Sequence, residues 1–228
     1  MKREFRAVND GLVKTADRSR AEELFNRLTA AYPAARCGLG YAEPHELLVA
    51  TILSAQCTDQ QVNAVTPGLF RRYPTVRAFA EADPAELTEA IRPTGFYRHK
   101  ARAIQQSMRM ILERFGGRVP DRLEDLVSLT GVGRKTANVV LGDAFGKPGV
   151  VVDTHVRRLA QRLGLTNHRD PVKIEFDLRA LFQPTHWTLL GHLLIAHGRA
   201  ICRAQRPRCR QCPLRELCPA ASPHIEEE

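Results

Sequence analysis

The chain has 228 residues, 43% of them hydrophobic, with 34 Lys and Arg against 25 Asp and Glu, a net charge of +9 and a pI near 9.6. That apolar content supports a packed core and excludes a disordered polymer, and the length suits one large domain or two small ones. The basic balance favours a polyanionic partner, and no apolar run approaches the ~20 residues of a membrane span: the longest, around Leu189 to Ile195, is interrupted by Gly191 and His192.

The N-terminus, Met1 to Arg20, has mixed charge and no apolar signal-peptide core. We read residues 1–17 as a polar tail on an intracellular, cytoplasmic protein. Helical periodicity comes next. Leu24, Phe25, Leu28 and Ala31 share one face, and Leu47, Leu48, Ile52 and Leu53 lie close on another. Tyr97, Ala101, Ile104, Met108, Ile111 and Phe115 recur at steps of three and four, the stripe of an amphipathic helix. Pro44, Pro84 and Pro171 each stand where a helix can start, and Gly116-Gly117 and Gly146-Lys147-Pro148-Gly149 read as breaks. Only Val150-Val151-Val152 looks extended, too short to argue for a sheet. The expected class is all-α, with about ten helices.

Between Val119 and Ala144 the pattern changes. Asp121 is placed to cap a helix running to about Ser128, with Glu124 supporting it three positions later. The turn Leu129-Thr130-Gly131-Val132-Gly133-Arg134 comes after it, and Lys135 opens a second helix read to Phe145. This is a helix-hairpin-helix over about residues 121–145. Its glycines permit left-handed angles and close approach to a phosphate. Lys135 puts a primary amine directly behind that turn, at a helix start whose partial positive charge disfavours protonation. A neutral lysine is a nucleophile toward carbon.

Asp153, in Val151-Val152-Asp153-Thr154-His155, is a well-formed N-cap for the next helix. A capping carboxylate can also face a pocket. His155 reads as structural. Near the C-terminus, Cys202, Cys209, Cys212 and Cys218 form C-x6-C-x2-C-x5-C, and six arginines with no acid lie from Arg199 to Arg215. Four thiolates satisfy either a tetrahedral zinc or an iron–sulfur cubane. The single C-x2-C and the compact run lean toward a [4Fe–4S] cluster. Arg203, Arg206 and Arg208 make the loop between the first two ligands a basic surface suited to phosphate. Cys37 and Cys57 read as small core residues.

The hairpin with Lys135, the Val152-Asp153-Thr154-His155 segment and the cysteine spacing together resemble the endonuclease III family, DNA glycosylases with AP-lyase activity in the helix-hairpin-helix superfamily. The resemblance runs from roughly Arg20 to Pro219. It includes Leu53-Ser54-Ala55-Gln56-Cys57-Thr58-Asp59, similar to the family's segment beside the damaged base, and His197-Gly198-Arg199 before the first cysteine. It implies two helical domains, a continuous six-helix domain at 36–148 and a cluster domain joining 18–35 to 149–221, with duplex DNA across the cleft between them. Lys135 matches the nucleophile, Asp153 the catalytic carboxylate, and Gln56 the residue that fills the gap left by an extruded nucleotide. DNA contacts are implied for Tyr97, His155, Gly131, Gly133, Arg134 and Thr136, and for the three loop arginines. The implied cofactor is a chiefly structural [4Fe–4S] cluster. The implied partner is DNA carrying oxidised pyrimidines or abasic sites, bound by a monomer.

Two departures stand out. Phe96, in Thr94-Gly95-Phe96-Tyr97, falls where relatives often place an aliphatic wedge; it reads either as a wedge between base steps or as a partly exposed core phenylalanine. Cys57 stands where the family more usually has another small residue after the glutamine. Adenine-mismatch glycosylases of the same superfamily lack the lysine. A non-catalytic DNA-binding module with structural zinc would explain the charge, the hairpin and the cysteines, but not Lys135 and Asp153 both matching catalytic positions.

Overall fold

The computed structural model describes the backbone of residues 15–224 and the side chains of residues 18–221. The polar tail read at 1–17 lies outside the described residues, except that its last three positions belong to the first helix. Eleven α-helices occur among the described residues: α1 Thr15–Ala31, α2 Pro44–Leu53, α3 Asp59–Arg72, α4 Val76–Ala80, α5 Pro84–Ala90, α6 Tyr97–Phe115, α7 Leu123–Val127, α8 Arg134–Val139, α9 Thr154–Arg162, α10 Pro171–Leu181 and α11 Trp187–Ala200. No strand is present among them, so the all-α expectation holds. None of these helices is long and apolar enough to cross a membrane.

The chain divides into two compact units, one from Arg36 to Val151, the other from the segment up to Ala35 together with the chain from Val152 onward. The first unit extends to Val151 rather than ending at Pro148. The Asn138 amide donates to the Val150 carbonyl at 3.0 Å, and Gly149 lies against Asn138 so closely that a Cβ there would meet its oxygens at 3.2 Å.

Helix starts are set by their caps. Pro44, Pro84 and Pro171 each open a helix, behind Glu43, Asp83 and Asp170. Asp83 and Asp170 each accept two amide hydrogens of the first turn. In the first unit α6 is the spine. Ala101, Ile104, Met108 and Ile111 of its predicted stripe are buried, and Gly116 ends it in the left-handed conformation at φ 60°. Leu47, Leu48, Leu53, Phe79, Leu87 and Leu126 complete the core.

Asp121 departs from its expected role. The cap position of α7 is Arg122, with no side-chain bond. Asp121 instead binds the Lys147 ammonium at 2.6 Å, through an oxygen that the cation engages more strongly than a neutral amide would. The helix after the hairpin also departs: α8 stops at Val139, and Val140–Ala144 forms a π turn.

The second unit joins two chain segments through guanidinium groups. Arg20 of α1 donates to the carbonyls of Leu163 at 2.9 Å and Leu217 at 2.8 Å. Arg27 reaches the carbonyl of Pro213 at 3.3 Å and Glu216 at 3.1 Å. Replacing Arg20 by Ala strips the ionic donors from Leu163 and Leu217. The expected loss is about 1–3 kcal/mol, read as a lowered urea midpoint with unchanged slope.

Candidate functional site

The hairpin rests on α6. Gly131 has φ 75°, and a Cβ added there would come within 2.7 Å of the Ala103 Cβ. Both the backbone angle and the close approach therefore require glycine. The Ser107 hydroxyl donates to the Thr130 carbonyl at 2.5 Å, and the Val132 amide closes the turn on the Leu129 carbonyl at 3.2 Å. Gly133 differs from expectation: its φ of −88° and ψ of 173° are extended backbone that any residue adopts. A Cβ there would meet nothing within 4 Å, so open space, not conformation, is what this glycine provides.

Gly133 caps α8 without a side-chain bond, leaving the first amides of that helix without an intrahelical acceptor. Lys135 is the second residue of α8. It is exposed and makes no hydrogen bond or ion pair among the described residues. Thr136 and Arg134 flank it, both half-buried.

Three more predicted positions belong to the same unit. Gln56 lies just after α2, is exposed, and sits at φ 52°. Phe96 precedes α6 at φ 48° and is 63% exposed, so it is not a core residue. Tyr97 is half-buried against the core, its ring centroid 5.9 Å from the Arg98 guanidinium. Cys57 is likewise half-buried against the core, as is Cys37, whose thiol burial pushes up to about 11.

In the other unit Asp153 caps α9, its Oδ1 accepting from the Val156 amide at 2.8 Å. Its second carboxylate oxygen makes no hydrogen bond among the described residues. His155 is half-buried, with Nδ1 3.1 Å from Arg158 Nη2. Burial lowers its pKa, Asp153 opposes this, and Arg158 and Arg199 lower it further. Arg158 donates onward to the carbonyls of Gly198 at 3.2 Å and Cys202 at 3.0 Å. Gly198 gives room for this: a Cβ would lie 2.8 Å from His155 Nδ1. The His197-Gly198-Arg199 motif thus seats α9 against the first cysteine.

The four cysteines line one cavity of about 230 Å³, with Arg162, Ile201, Pro207, Arg208, Ala220 and Ala221. Burial raises the thiols of Cys212 and Cys218, and the neighbouring cysteines raise them further. Four thiolates therefore stand together only around positive charge. No three His, Cys, Asp or Glu side chains among the described residues converge closely enough for a single metal ion.

Sequence reasoning missed the side chains that shape this cavity. Arg162 donates to Cys202 Sγ at 3.5 Å and to the carbonyls of Arg203 at 2.7 Å and Ala204 at 2.9 Å. His197, pushed down to about 4 by burial, has Nε2 3.5 Å from Cys212 Sγ and Nδ1 2.8 Å from the Tyr32 hydroxyl. Arg203, Arg206 and Arg208, the last of which also lines the cavity, are exposed, with no side-chain hydrogen bond or ion pair among the described residues.

Comparison with known proteins decides the family. Residues 49–184 match the model of the HhH-GPD superfamily base excision DNA repair protein. Endonuclease III of Synechocystis is 54% identical over 205 residues, covering 90% of this chain and 94% of the relative. The chain belongs to the endonuclease III family. Endonuclease III of Bacillus subtilis is 46% identical over 82% of this chain and 86% of its own. A solved non-covalent endonuclease III–DNA complex matches with a TM-score of 0.85 at 40% identity, over 90% of this chain and 96% of that one. Membership makes this chain a base-excision-repair DNA glycosylase of the helix-hairpin-helix type.

The Gly131 contact yields a direct test. Gly131→Ala should cost about 1–3 kcal/mol through backbone strain alone, plus the clash with Ala103. Ala103→Gly should recover only the clash, which urea denaturation of the double variant resolves.

Proposed function

We propose that this endonuclease III relative removes damaged pyrimidines from duplex DNA and then cuts the strand, using Lys135 as a covalent nucleophile. The observation that carries this is an exposed amine on the second residue of α8, with no hydrogen bond or ion pair among the described residues, directly behind the Gly131-Val132-Gly133 turn. The open space at Gly133 lets a phosphate approach the start of α8, where the first amides have no intrahelical acceptor. Solved relatives captured both free of covalent linkage and as a trapped covalent intermediate with DNA support the same reading.

The damaged nucleotide is turned out of the stack, at a cost of a few kcal/mol that is lowest where damage weakens stacking or pairing. Gln56 fills the gap it leaves and Phe96 wedges the neighbouring step. The neutral Lys135 amine attacks C1′, a C–N bond forms, and the bond from C1′ to the base breaks. Asp153 stabilises the positive charge developing on the sugar and accepts protons. Its cap bond holds one oxygen, leaving the other for this work. The C1′–O4′ bond then opens as the amine nitrogen gives up a proton and O4′ takes one, leaving a Schiff base; this acidifies the 2′ proton, whose loss expels the 3′ phosphate by β-elimination.

Arg203, Arg206 and Arg208, with Arg134, Thr136, Tyr97 and His155, supply contacts to the DNA of a monomeric enzyme. Cys202, Cys209, Cys212 and Cys218 would hold a [4Fe–4S] cluster, which when bound ties the arginine loop to the fold by iron–thiolate bonds.

Borohydride should trap a covalent complex of the protein with abasic DNA, and Lys135→Gln should abolish it; a full yield of adduct from that variant would remove Lys135 from the role. Asp153→Asn keeps a good capping residue, so turnover should fall by about 100-fold or more with the melting temperature nearly unchanged. The purified protein should be brown with bound iron and inorganic sulfide, and Cys212→Ser should bleach it. Stoichiometric zinc in a colourless protein would overturn the cluster assignment.

A further inference from the structure

Lys100 is a charged side chain in the core of the first unit, only 5% exposed. Its ammonium donates to the Leu53 carbonyl at 2.7 Å and to the Thr94 carbonyl at 2.7 Å. Leu53 is the last residue of α2, and Thr94 ends the 3-10 turn Arg92–Thr94. Carbonyls at helix ends lack intrahelical donors and carry partial negative charge. One buried cation thus closes two helical ends. Burial lowers the amine's pKa while the neighbouring Cys57 opposes this.

The residues just beyond each closed end give the contact its meaning. Three positions after Leu53 stands Gln56, and two after Thr94 stands Phe96. They are two of the three non-glycine residues with left-handed backbone among those described. That conformation is disfavoured for residues with a Cβ and persists only where surrounding structure fixes it. The Lys100 amide also donates to the Phe96 carbonyl at 3.1 Å, so backbone and side chain of one residue grip both segments. Gln56 and Phe96 are themselves exposed, where a purely structural pair would have been buried.

We infer that Lys100 is a positioning residue that locks Gln56 and Phe96 into one preformed, two-pronged probe for the DNA at the extruded nucleotide. This deepens the proposed function and rests on its assignment of both residues to that gap. Holding the two loops through one cation means that neither prong enters the duplex independently. The ordering needed to engage DNA is then present before binding.

The test uses the intact, cluster-loaded protein and a duplex with 2-aminopurine opposite an abasic site, whose fluorescence rises when stacking is broken. Lys100→Met should reduce this rise about fivefold or more, while affinity for undamaged duplex changes less than about twofold. Lys100→Arg, which keeps a cation, should recover part of it. In the wild-type background, the effects of Gln56→Ala and Phe96→Ala should be non-multiplicative by about fivefold, and in Lys100→Met they should become multiplicative. Should Lys100→Met fail to fold, the two surface variants decide: multiplicative effects in the wild type overturn the inference. Normal fluorescence from a folded Lys100→Met overturns the lock alone. Normal fluorescence from both Gln56→Ala and Phe96→Ala overturns the gap-filling assignment, and the lock with it.

Discussion

The approach of Gly131 to Ala103 is the contact on which the candidate site depends, because it seats the hairpin directly on α6. The same helix serves the other segments of its unit at one-turn intervals. Phe96 precedes it, Lys100 grips the ends before Gln56 and Phe96, Ala103 accepts the hairpin, and Ser107 fixes the Thr130 carbonyl. One turn further on, Met110 Sδ receives the Thr130 hydroxyl at 3.5 Å. A helix buried on one face has a rigid rise per residue, so spacing along it becomes spacing between loops. Proposed nucleophile and proposed prongs thus share one ruler.

The other unit solves a different problem. Its last stretch after α11 consists of short turns with little apolar core of its own. Carbonyl groups there are satisfied by arginines sent from elsewhere in the unit: Arg20 and Arg27 from α1, Arg158 and Arg162 from α9. Guanidinium groups suit this work because they offer several fixed donors and never lose their charge. Arg20 and Arg162 therefore act as internal fasteners, whereas Arg203, Arg206 and Arg208 of the same unit are left to solvent. Composition alone counts all of them as one basic patch.

Much of this was legible in the chain. The α6 stripe, the proline-led helices and the Asp153 cap are local in origin, and local rules found them. The cysteine spacing located one shared cavity. Elements decided at a distance were not legible. Asp121 has the pattern of a cap, yet Lys147, 26 positions away, claims its carboxylate. Gly133 resembles Gly131 in sequence but has ordinary backbone, since only the first faces α6. Lys100 carried one faint signal: it lies between Tyr97 and Ile104 on the buried face of a helix, where a lysine is unexpected.

The π turn at Val140–Ala144 changes how the segment behind Lys135 should be aligned. A π turn closes over one residue more than an α turn. Every side chain beyond it is therefore rotated against the helical wheel drawn from Lys135, and a carbonyl is released from the usual ladder. The Asp143 carbonyl, in the last turn where carbonyls lack intrahelical donors, accepts the Tyr41 hydroxyl at 2.7 Å. The extra residue behaves as an insertion the fold has absorbed. Deleting one position there would turn Phe145 by about a quarter of a revolution and shift the acceptor that Tyr41 uses.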